Sequence, residues 1–203
     1  MKRGLTRTAL ISVLLIPVMV MMSFATINNK QINDFSLKNV NGKNVSLKDY
    51  ADAKGFIIVF TCNHCPFAKL YYKRFNDLNA EYKNKGVPLI AISSTDTISY
   101  EEDTFPEMVK KAEEQQFNFP YLYDGSQKVA RAFTAQKTPH AYVIWKVNGK
   151  WTIKYNGAID DNGAHPELVH NRYVANAVDE LLAGKEVTNK ETKSIGCQIN
   201  FRK

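Results

Sequence analysis

The chain carries, between Gly55 and Pro66, the stretch Gly-Phe-Ile-Ile-Val-Phe-Thr-Cys-Asn-His-Cys-Pro. The apolar run 56–60 is short and unbroken, which predicts a strand that is buried on both faces. Beyond Pro66, apolar residues recur at three- and four-residue steps as far as Tyr82. This spacing predicts an amphipathic helix, which Gly86 ends. The two cysteines therefore lie where a buried strand passes into the start of a helix.

The pair Cys62-x-x-Cys65 predicts a redox centre rather than a metal site. A helix N-terminus has unpaired backbone N–H groups and a positive dipole end, and both favour a thiolate. A zinc site would need a second cysteine pair, which the sequence lacks, or a paired histidine motif, and His165 and His170, five residues apart, do not share a helix face. We expect Cys62 to be the nucleophile because it is nearer the exposed helix end. Cys65 is then expected to attack the mixed disulfide and release the product.

The N-terminal residues 1–25 have the composition of a secretory signal peptide. Basic residues precede an apolar run from Ala9 to Met22, and small residues two positions apart end at Ala25. We expect cleavage after Ala25 and export to the periplasm or another extracytoplasmic space, where disulfides persist. The alternative is an uncleaved membrane anchor, although the apolar run is short for a membrane span.

Charge gives little support for nucleic-acid binding. The whole chain has 27 Lys and Arg against 20 Asp and Glu, a net charge of +7. Cleavage after Ala25 would remove three basic residues and leave a net charge of +4. The lysines are spread along the chain rather than gathered in one run, so we expect no nucleic-acid partner.

We divide the 203 residues into four segments. The signal peptide, 1–25, is followed by a polar, flexible lead, 26–33. Residues 34–185 are long enough for one domain with a proper core. Residues 186–203 form a polar tail without periodicity, which contains Cys197.

Predicted strands and helices alternate along the domain. An N-terminal hairpin turns at Asn41-Gly42 and precedes the cysteine stretch. The patterns after it predict, in order, a buried strand at 87–93, a helix at 104–116, a strand at 120–123, a helix at 127–133, a hairpin over 141–155 and a helix at 166–182. Such alternation predicts an α/β fold with a mixed sheet that helices cover on both faces.

These motifs together resemble the thioredoxin superfamily. The cysteine pair at a strand-to-helix junction and a later Thr138-Pro139 at the start of a strand carry the resemblance. The hairpin over 34–47 resembles the redoxin branch, which holds the alkyl hydroperoxide reductase/thiol-specific antioxidant proteins and membrane-linked thiol reductases. The resemblance covers about residues 34–200. It implies a thioredoxin-like mixed sheet with helices on both faces and an N-terminal β-hairpin.

Within that branch, the motif at 61–66 resembles a peroxiredoxin-like subgroup, together with Thr138-Pro139-His140 and the tail Ile195-Gly-Cys197. The resemblance implies a cis peptide bond before Pro139, although a trans proline at a strand start is the more common arrangement. It also implies that Thr138, Pro139 and His140 present a backbone edge to which a substrate segment can pair.

Three residues next to the cysteines, Thr61, Asn63 and His64, are expected to tune the site. An imidazole at His64 would stabilise a thiolate at Cys62 and make the disulfide a stronger oxidant; the alternative is a solvated surface histidine. Thioredoxins carry a tryptophan before the first cysteine and a buried acid six residues before it. Thr61 and Phe56 stand at those places, so proton transfer by such an acid is not expected.

Peroxide reduction is a second reading. Peroxiredoxins place a threonine or serine three residues before the reactive cysteine and a proline seven before it. Neither Cys62 nor Cys65 has that spacing, and Pro139 stands where peroxiredoxins hold an arginine. Such groups stabilise the leaving oxygen of a peroxide, so we place peroxidase activity second.

Two further questions stay open at the level of sequence. Cys197 is a resolving thiol, an intermolecular link or a bystander, and the sequence does not choose among them. His140 together with Cys62 and Cys65 would offer copper or zinc ligands, as in metal-binding modules on this fold. We place this metal-binding reading third.

The sequence thus predicts an exported thiol-disulfide oxidoreductase that exchanges a Cys62–Cys65 disulfide with protein thiols. Its expected partners are protein thiols or disulfides and an unidentified redox partner. We expect no cofactor, no metal and no contact with a membrane other than through an uncleaved signal segment.

Overall fold

The computed structural model describes residues 29–202. The predicted signal peptide, 1–25, lies outside the described residues, as does the first part of the predicted lead. No helix within 29–202 is long and apolar enough to cross a membrane.

Within the described residues there are ten strands and five α-helices. The strands are β1 (Gln31–Ile32), β2 (Ser36–Asn39), β3 (Asn44–Ser46), β4 (Gly55–Phe60), β5 (Leu89–Ser93), β6 (Tyr121–Tyr123), β7 (Lys137–Thr138), β8 (His140–Val147), β9 (Lys150–Gly157) and β10 (Cys197–Gln198). The helices are α1 (Pro66–Lys69), α2 (Tyr72–Tyr82), α3 (Phe105–Glu114), α4 (Lys128–Phe133) and α5 (Tyr173–Leu182). Short 3₁₀ turns lie at Leu47–Asp49, Lys83–Lys85, Glu101–Asp103 and Pro166–Leu168.

Eight of the strands form one mixed sheet in the order β1-β9-β8-β4-β5-β6-β2-β3. β5 runs parallel to both β4 and β6, and the remaining pairs are antiparallel. β2 and β3 are the expected N-terminal hairpin. The α/β fold with a mixed sheet is therefore confirmed.

β4 lies between the two hydrophobic cores. Ile57 and Val59 pack into the core beneath α2 and α5, whereas Phe56, Ile58 and Phe60 pack into the core beneath α4. All five side chains are fully buried. Burial on both faces explains why this strand reads as a continuous apolar run instead of an alternating one. It also confirms helices on both faces of the sheet.

The predicted helix after Pro66 is interrupted. α1 ends at Lys69 and α2 begins at Tyr72. Between them, the Tyr71 N–H donates to the Ala68 carbonyl at 3.0 Å, three residues back rather than four. This tighter bond ends the first helix, so the prediction of one helix was wrong in this detail.

The last helix begins later than the pattern 166–182 predicts, at Tyr173. The Asp161 carboxylate accepts the backbone N–H groups of His170 and Asn171, each at 3.0 Å. These bonds satisfy the two donors without helical turns, so residues 169–172 are not helical.

The predicted flexible lead is wrong over its last residues. Gln31 and Ile32 form β1, which pairs with Thr152 and Trp151 of β9. Ile32 is buried in the core beneath α4, with 5% of its surface exposed. A single apolar anchor and a free sheet edge are enough to order this segment, and neither is visible as periodicity.

The predicted tail also packs on the domain, over the residues that the structure describes. Val187 and Ile199 are buried, and they hold the segment at its two ends. Between them the Thr192 N–H donates to the Asn156 carbonyl at 3.0 Å. The domain therefore extends past the boundary expected at residue 185.

Replacement of Ile32 tests the ordered β1 strand. We expect Ile32→Ala to lower the free energy of unfolding by about 2 kcal/mol, because it removes a buried aliphatic side chain. The exposed neighbour gives a matched control, and Gln31→Ala should stay within about 0.5 kcal/mol of wild type. Urea unfolding measures both, and equal, small losses would mean that residues 29–33 contribute nothing to the fold.

Candidate active site

Cys62 and Cys65 lie next to Thr138, the last residue of β7. Cys62 follows β4, and Cys65 immediately precedes α1. The Cys62 Sγ lies 3.1 Å from the Thr138 Oγ1, and the Cys65 thiol is 3.1 Å from the Thr138 carbonyl oxygen. Cys62 and Cys65 are fully buried, and Cys62, Cys65 and Cys197 are all free thiols. The structure thus brings together the predicted cysteines and the predicted Thr-Pro segment.

A buried carboxylate, Asp103, positions the two residues between the cysteines. Its Oδ1 accepts the Asn63 N–H at 2.5 Å and the His64 N–H at 3.3 Å. Its Oδ2 is bonded to the His64 Nδ1. Asp103 is fully buried at the end of the 3₁₀ turn before α3. One side chain, far along the sequence from the cysteines, therefore fixes the conformation of the cysteine loop.

Tyrosine hydroxyls add further bonds to this loop. The Asn63 Nδ2 donates to the Glu102 carbonyl at 2.8 Å, and its Oδ1 accepts the Tyr121 hydroxyl at 3.1 Å. The Tyr72 hydroxyl donates to the Cys62 carbonyl at 2.9 Å. Asn63 is therefore a buried link between the cysteine loop, the turn before α3 and β6.

His64 is directed at Asp103 rather than hydrogen-bonded to a cysteine. Its ring stacks on Tyr100, with centroids 3.8 Å apart and planes at 6°. The side chain is 13% exposed, so the alternative of a solvated surface histidine does not fit the structure. Thr61 is also buried, and its hydroxyl has no hydrogen-bond partner within the described residues. Of the predicted tuning residues, Asn63 and His64 act on the loop through Asp103.

A hydrogen bond between the two sulfurs couples the ionisation of Cys62 and Cys65. This bond lowers the pKa of Cys65, and bonds from Cys197 act in the same direction. It raises the pKa of Cys62, with burial and the Asp103 charge acting in the same direction. The Cys65 thiol also donates to the Thr138 carbonyl oxygen at 3.1 Å, a bond that a Cys65 thiolate would lose. The two sulfurs therefore ionise as one coupled pair, and the expectation that Cys62 is the nucleophile stays a prediction.

The predicted substrate edge is present, but it is covered. The Thr138–Pro139 peptide bond is cis, as expected. β10 pairs with β7 in an antiparallel register that sets Cys197 opposite Thr138. Thr138 and His140 are both buried, with 2% and 8% of their surfaces exposed. An open edge is therefore not what this structure presents.

His140 is bonded to Tyr142 and Gln136 rather than to the cysteines with which we considered it as a metal ligand. Its Nδ1 lies 3.3 Å from the Tyr142 hydroxyl and 3.4 Å from the Gln136 N–H. Burial lowers the pKa of His140 to about 4. The residue is a buried, neutral imidazole at the start of β8.

A different histidine lies within reach of ligands for a metal ion. Ligand atoms of Cys62, His64 and Asp103 lie within 4.8 Å of one another. This trio differs from the His140 set considered from sequence. The His64 Nδ1 and the Asp103 Oδ2 are bonded to each other in the structure. The metal-binding reading therefore stays a prediction, with His64 in place of His140.

An apolar groove of about 500 Å³ lies next to the Thr-Pro segment. Its lining includes Phe67, Leu70, Pro139, Ile159 and Ile195. Phe67, Leu70 and Ile195 are 44%, 46% and 65% exposed, which is unusual for large apolar side chains. An exposed apolar surface beside reactive thiols is suited to binding an extended segment of another chain.

One ion pair builds the wall of this groove. The Arg74 Nη1 donates to the Asp160 Oδ2 at 2.6 Å and to the Asn162 carbonyl at 2.8 Å. The Tyr71 hydroxyl donates to the Asp160 Oδ1 at 3.1 Å, and the guanidinium lies 3.9 Å from the centre of that ring. These bonds tie the loop that follows β9 to α2.

Asp103 is the site residue that sequence reasoning missed. It stands in the acidic run Glu101-Glu102-Asp103, within a segment that reads as a polar loop. Its neighbour Glu102 is exposed, as such a residue usually is. No local signal separates the buried carboxylate from the exposed ones.

Known structures place the chain in the thioredoxin-like class of α/β proteins. Peroxidoxin BcpB from Mycobacterium tuberculosis superposes with a TM-score of 0.55 at 18% identity, over 77% of this chain and 94% of that one. The sequence profile of the AhpC/TSA family matches residues 29–161, more than half of the chain. The chain therefore belongs to the AhpC/TSA family.

Two relatives are more similar in sequence. An uncharacterized conserved protein from Geobacillus kaustophilus is 38% identical, with a TM-score of 0.78, over 86% of this chain and 92% of that one. The thiol-disulfide oxidoreductase ResA of Bacillus cereus is 27% identical over 128 residues, 63% of this chain and 69% of ResA. The chain spans between 49% and 69% of the length of the curated relatives that it matches.

Replacement of Asp103 tests its control of the cysteine loop. We expect Asp103→Asn to lower the free energy of unfolding of the reduced protein by about 1–3 kcal/mol, because buried N–H groups lose a charged acceptor. It should also lower the pKa of Cys62, since the Asp103 charge contributes to raising it. Urea unfolding and the ultraviolet absorbance of the thiolate against pH measure the two effects.

Glu102→Gln is the matched control. Glu102 is the exposed neighbour of Asp103, and the substitution removes the same charge. It should leave stability within about 0.5 kcal/mol and the thiol titration unchanged. Equal effects of the two substitutions would contradict a specific role for Asp103.

Proposed function

We propose that the protein is a thiol-disulfide oxidoreductase that exchanges a Cys62–Cys65 disulfide with the thiols of other proteins. The observation that carries the proposal is that two free thiols of one loop, Cys62 and Cys65, both lie 3.1 Å from Thr138, one from its hydroxyl and the other from its carbonyl oxygen. A thiolate and a neighbouring thiol are the two groups that disulfide exchange needs. Membership of the AhpC/TSA family and similarity to ResA support the same assignment.

The exchange runs in two balanced steps. The Cys62 thiolate, to which the Thr138 hydroxyl can donate, attacks one sulfur of a substrate disulfide, and the other substrate sulfur leaves as a thiolate and takes a proton. Cys65 then loses its proton and attacks the Cys62 sulfur of the mixed disulfide. The second substrate sulfur leaves, and a Cys62–Cys65 disulfide remains. The protein dithiol is oxidised and the substrate disulfide is reduced, and the reverse sequence oxidises a substrate dithiol.

The apolar groove provides a place for the substrate chain beside this chemistry. Phe67 and Leu70 project from α1 and the turn after it, close to the cysteine that precedes that helix. We infer that substrates are extended segments with apolar side chains next to the reacting cysteine. Protein thiols and disulfides are accordingly the proposed partners.

Peroxide reduction is less well supported by the same site. The four arginines of the described residues, Arg74, Arg131, Arg172 and Arg202, form their hydrogen bonds elsewhere, with other side chains and carbonyls. A peroxide needs donors such as arginine around its leaving oxygen. Thr138 is the one hydroxyl bonded to a cysteine sulfur in this part of the chain.

Mixed-disulfide trapping tests both the function and the order of attack. Both variants carry Cys197→Ser, so that the third cysteine cannot intervene. With glutathione disulfide, the Cys65→Ser variant should hold glutathione on Cys62, because the attacking cysteine remains and the resolving thiol is gone. The Cys62→Ser variant should react at least about tenfold more slowly, since the attacking cysteine is missing. Mass spectrometry of the acid-quenched proteins measures the adducts.

Two results would oppose the proposal. Glutathione trapped on Cys65 in the Cys62→Ser variant, at the wild-type rate, would make Cys65 the nucleophile instead of Cys62. Hydrogen peroxide that oxidises the wild-type protein orders of magnitude faster than a simple thiol of matched pKa would favour a peroxidase.

Export is the proposed setting for this chemistry. The support is the signal-like composition of residues 1–25. Export would place the protein in an oxidising compartment, where protein disulfides persist. Full-length protein expressed in a bacterium with two membranes should appear in the periplasm with Thr26 at its N-terminus, as measured by intact mass. Ala25→Leu should block processing, whereas Asn28→Leu, beyond the cut, should not. Unprocessed wild-type protein in the cytoplasm would contradict this proposal.

A further inference from the structure

The C-terminal segment occupies the backbone edge beside the redox cysteines. β10 pairs with β7, so that Cys197 lies opposite Thr138 and Gln198 opposite Lys137. The Ile199 N–H extends this pairing by donating to the Gln136 carbonyl at 2.8 Å. Addition of an extended segment to a free strand edge is a common way in which proteins bind peptides. Here the added segment belongs to the protein itself.

The segment fits this edge closely because of Gly196. A side-chain Cβ at this position would lie 2.6 Å from the carbonyl carbon of Thr138 and 3.0 Å from the nitrogen of Pro139. Real Cβ atoms do not approach other atoms to 2.6 Å. Glycine therefore allows the backbone to lie directly against the Thr-Pro segment.

The pairing places Cys197 next to the sulfur of Cys65. The Cys197 N–H donates to the Cys65 Sγ at 3.4 Å, and the two side chains are also hydrogen-bonded. Cys197 packs against the buried cluster of Cys62, Cys65 and Ala68. Cys65 thus has a thiol neighbour on each side.

Contacts on both sides of Cys197 hold it there. Before it, the Thr192 hydroxyl accepts the Ala158 N–H at 3.0 Å. After it, Ile199 is buried in the core beneath α4, and the Gln127 Nε2 donates to the Asn200 carbonyl at 2.8 Å. The tail is therefore packed on the domain on both sides of Cys197 and forms part of the site.

We propose that residues 195–199 act as an internal substrate, and that Cys197 exchanges with the Cys62–Cys65 disulfide to give a Cys65–Cys197 disulfide. This inference rests on the proposed function, which supplies the first disulfide. The Cys197 thiolate attacks the Cys65 Sγ, the Cys62–Cys65 bond breaks, and its electron pair leaves on Cys62. The proton lost by Cys197 passes through solvent to Cys62. One disulfide replaces another, so no oxidant is needed.

The contact between Cys197 and Cys65 explains why this exchange belongs to the oxidised protein. In the dithiol, burial and then the hydrogen bond to Cys65 raise the pKa of Cys197. Once Cys65 is part of a disulfide it has no thiol to share a proton with Cys197, and the second cause disappears. The exchange then fixes the tail covalently over the β7 edge and excludes outside segments until Cys62 reverses it.

Disulfide mapping of the wild-type protein tests the exchange. The reduced protein is oxidised with one equivalent of diamide, quenched in acid, digested with pepsin and analysed by mass spectrometry. We expect both Cys62–Cys65 and Cys65–Cys197 peptides. Gly196→Ala, which lifts the tail from the edge, should lower the share of the Cys65–Cys197 peptide at least about tenfold. The exposed Gln198→Ala, in the same strand, should leave that share unchanged.

A Cys62→Ser variant separates this inference from the proposed function. It contains Cys65 and Cys197 alone, so its diamide product does not depend on exchange with Cys62. An intramolecular Cys65–Cys197 disulfide supports the inference. Covalent dimers only, together with wild-type protein that contains the Cys62–Cys65 peptide alone, would overturn it and leave the proposed function intact. Wild-type protein that forms no Cys62–Cys65 disulfide and does not react with glutathione disulfide would instead overturn the proposed function.

Discussion

The Asp103 carboxylate is the interaction on which the site depends. A buried carboxylate is stable only when hydrogen-bond donors replace the water that it loses. Here those donors are the backbone N–H groups of Asn63 and His64 and the imidazole ring. The burial of one charge thus determines the path of the chain between two cysteines. The sulfurs reach Thr138, and each other, because that path is fixed.

Those parts of the fold that rest on local patterns were predictable. Phe56 to Phe60 reads as a continuous apolar run because helices cover both faces of β4. The hairpin β2–β3 follows from a turn sequence, Asn41-Gly42, between short strands. The cysteine pair was recognisable because spacing and position at a helix start are both visible in the sequence. The cis peptide bond followed from family resemblance rather than from the residues alone.

The remaining features depend on contacts between distant residues. Asp103 is one of three consecutive acids, and only the fold buries it. β1 and β10 each have two residues, too few for any periodicity, and each forms because a strand edge is already present. The position of Cys197 was not predictable for the same reason. Its N–H donates to the Cys65 sulfur from a segment that reads as an unstructured tail.

The close approach of Gly196 to Thr138 sets a sequence preference for the edge. Any chain that pairs with β7 in the register of the tail brings the residue before its cysteine to the place of Gly196. That place has no room for a Cβ atom beside the Thr138 carbonyl. The edge would therefore discriminate among partner sequences by excluding side chains at one position, and the dipeptide Gly-Cys is the sequence that it admits.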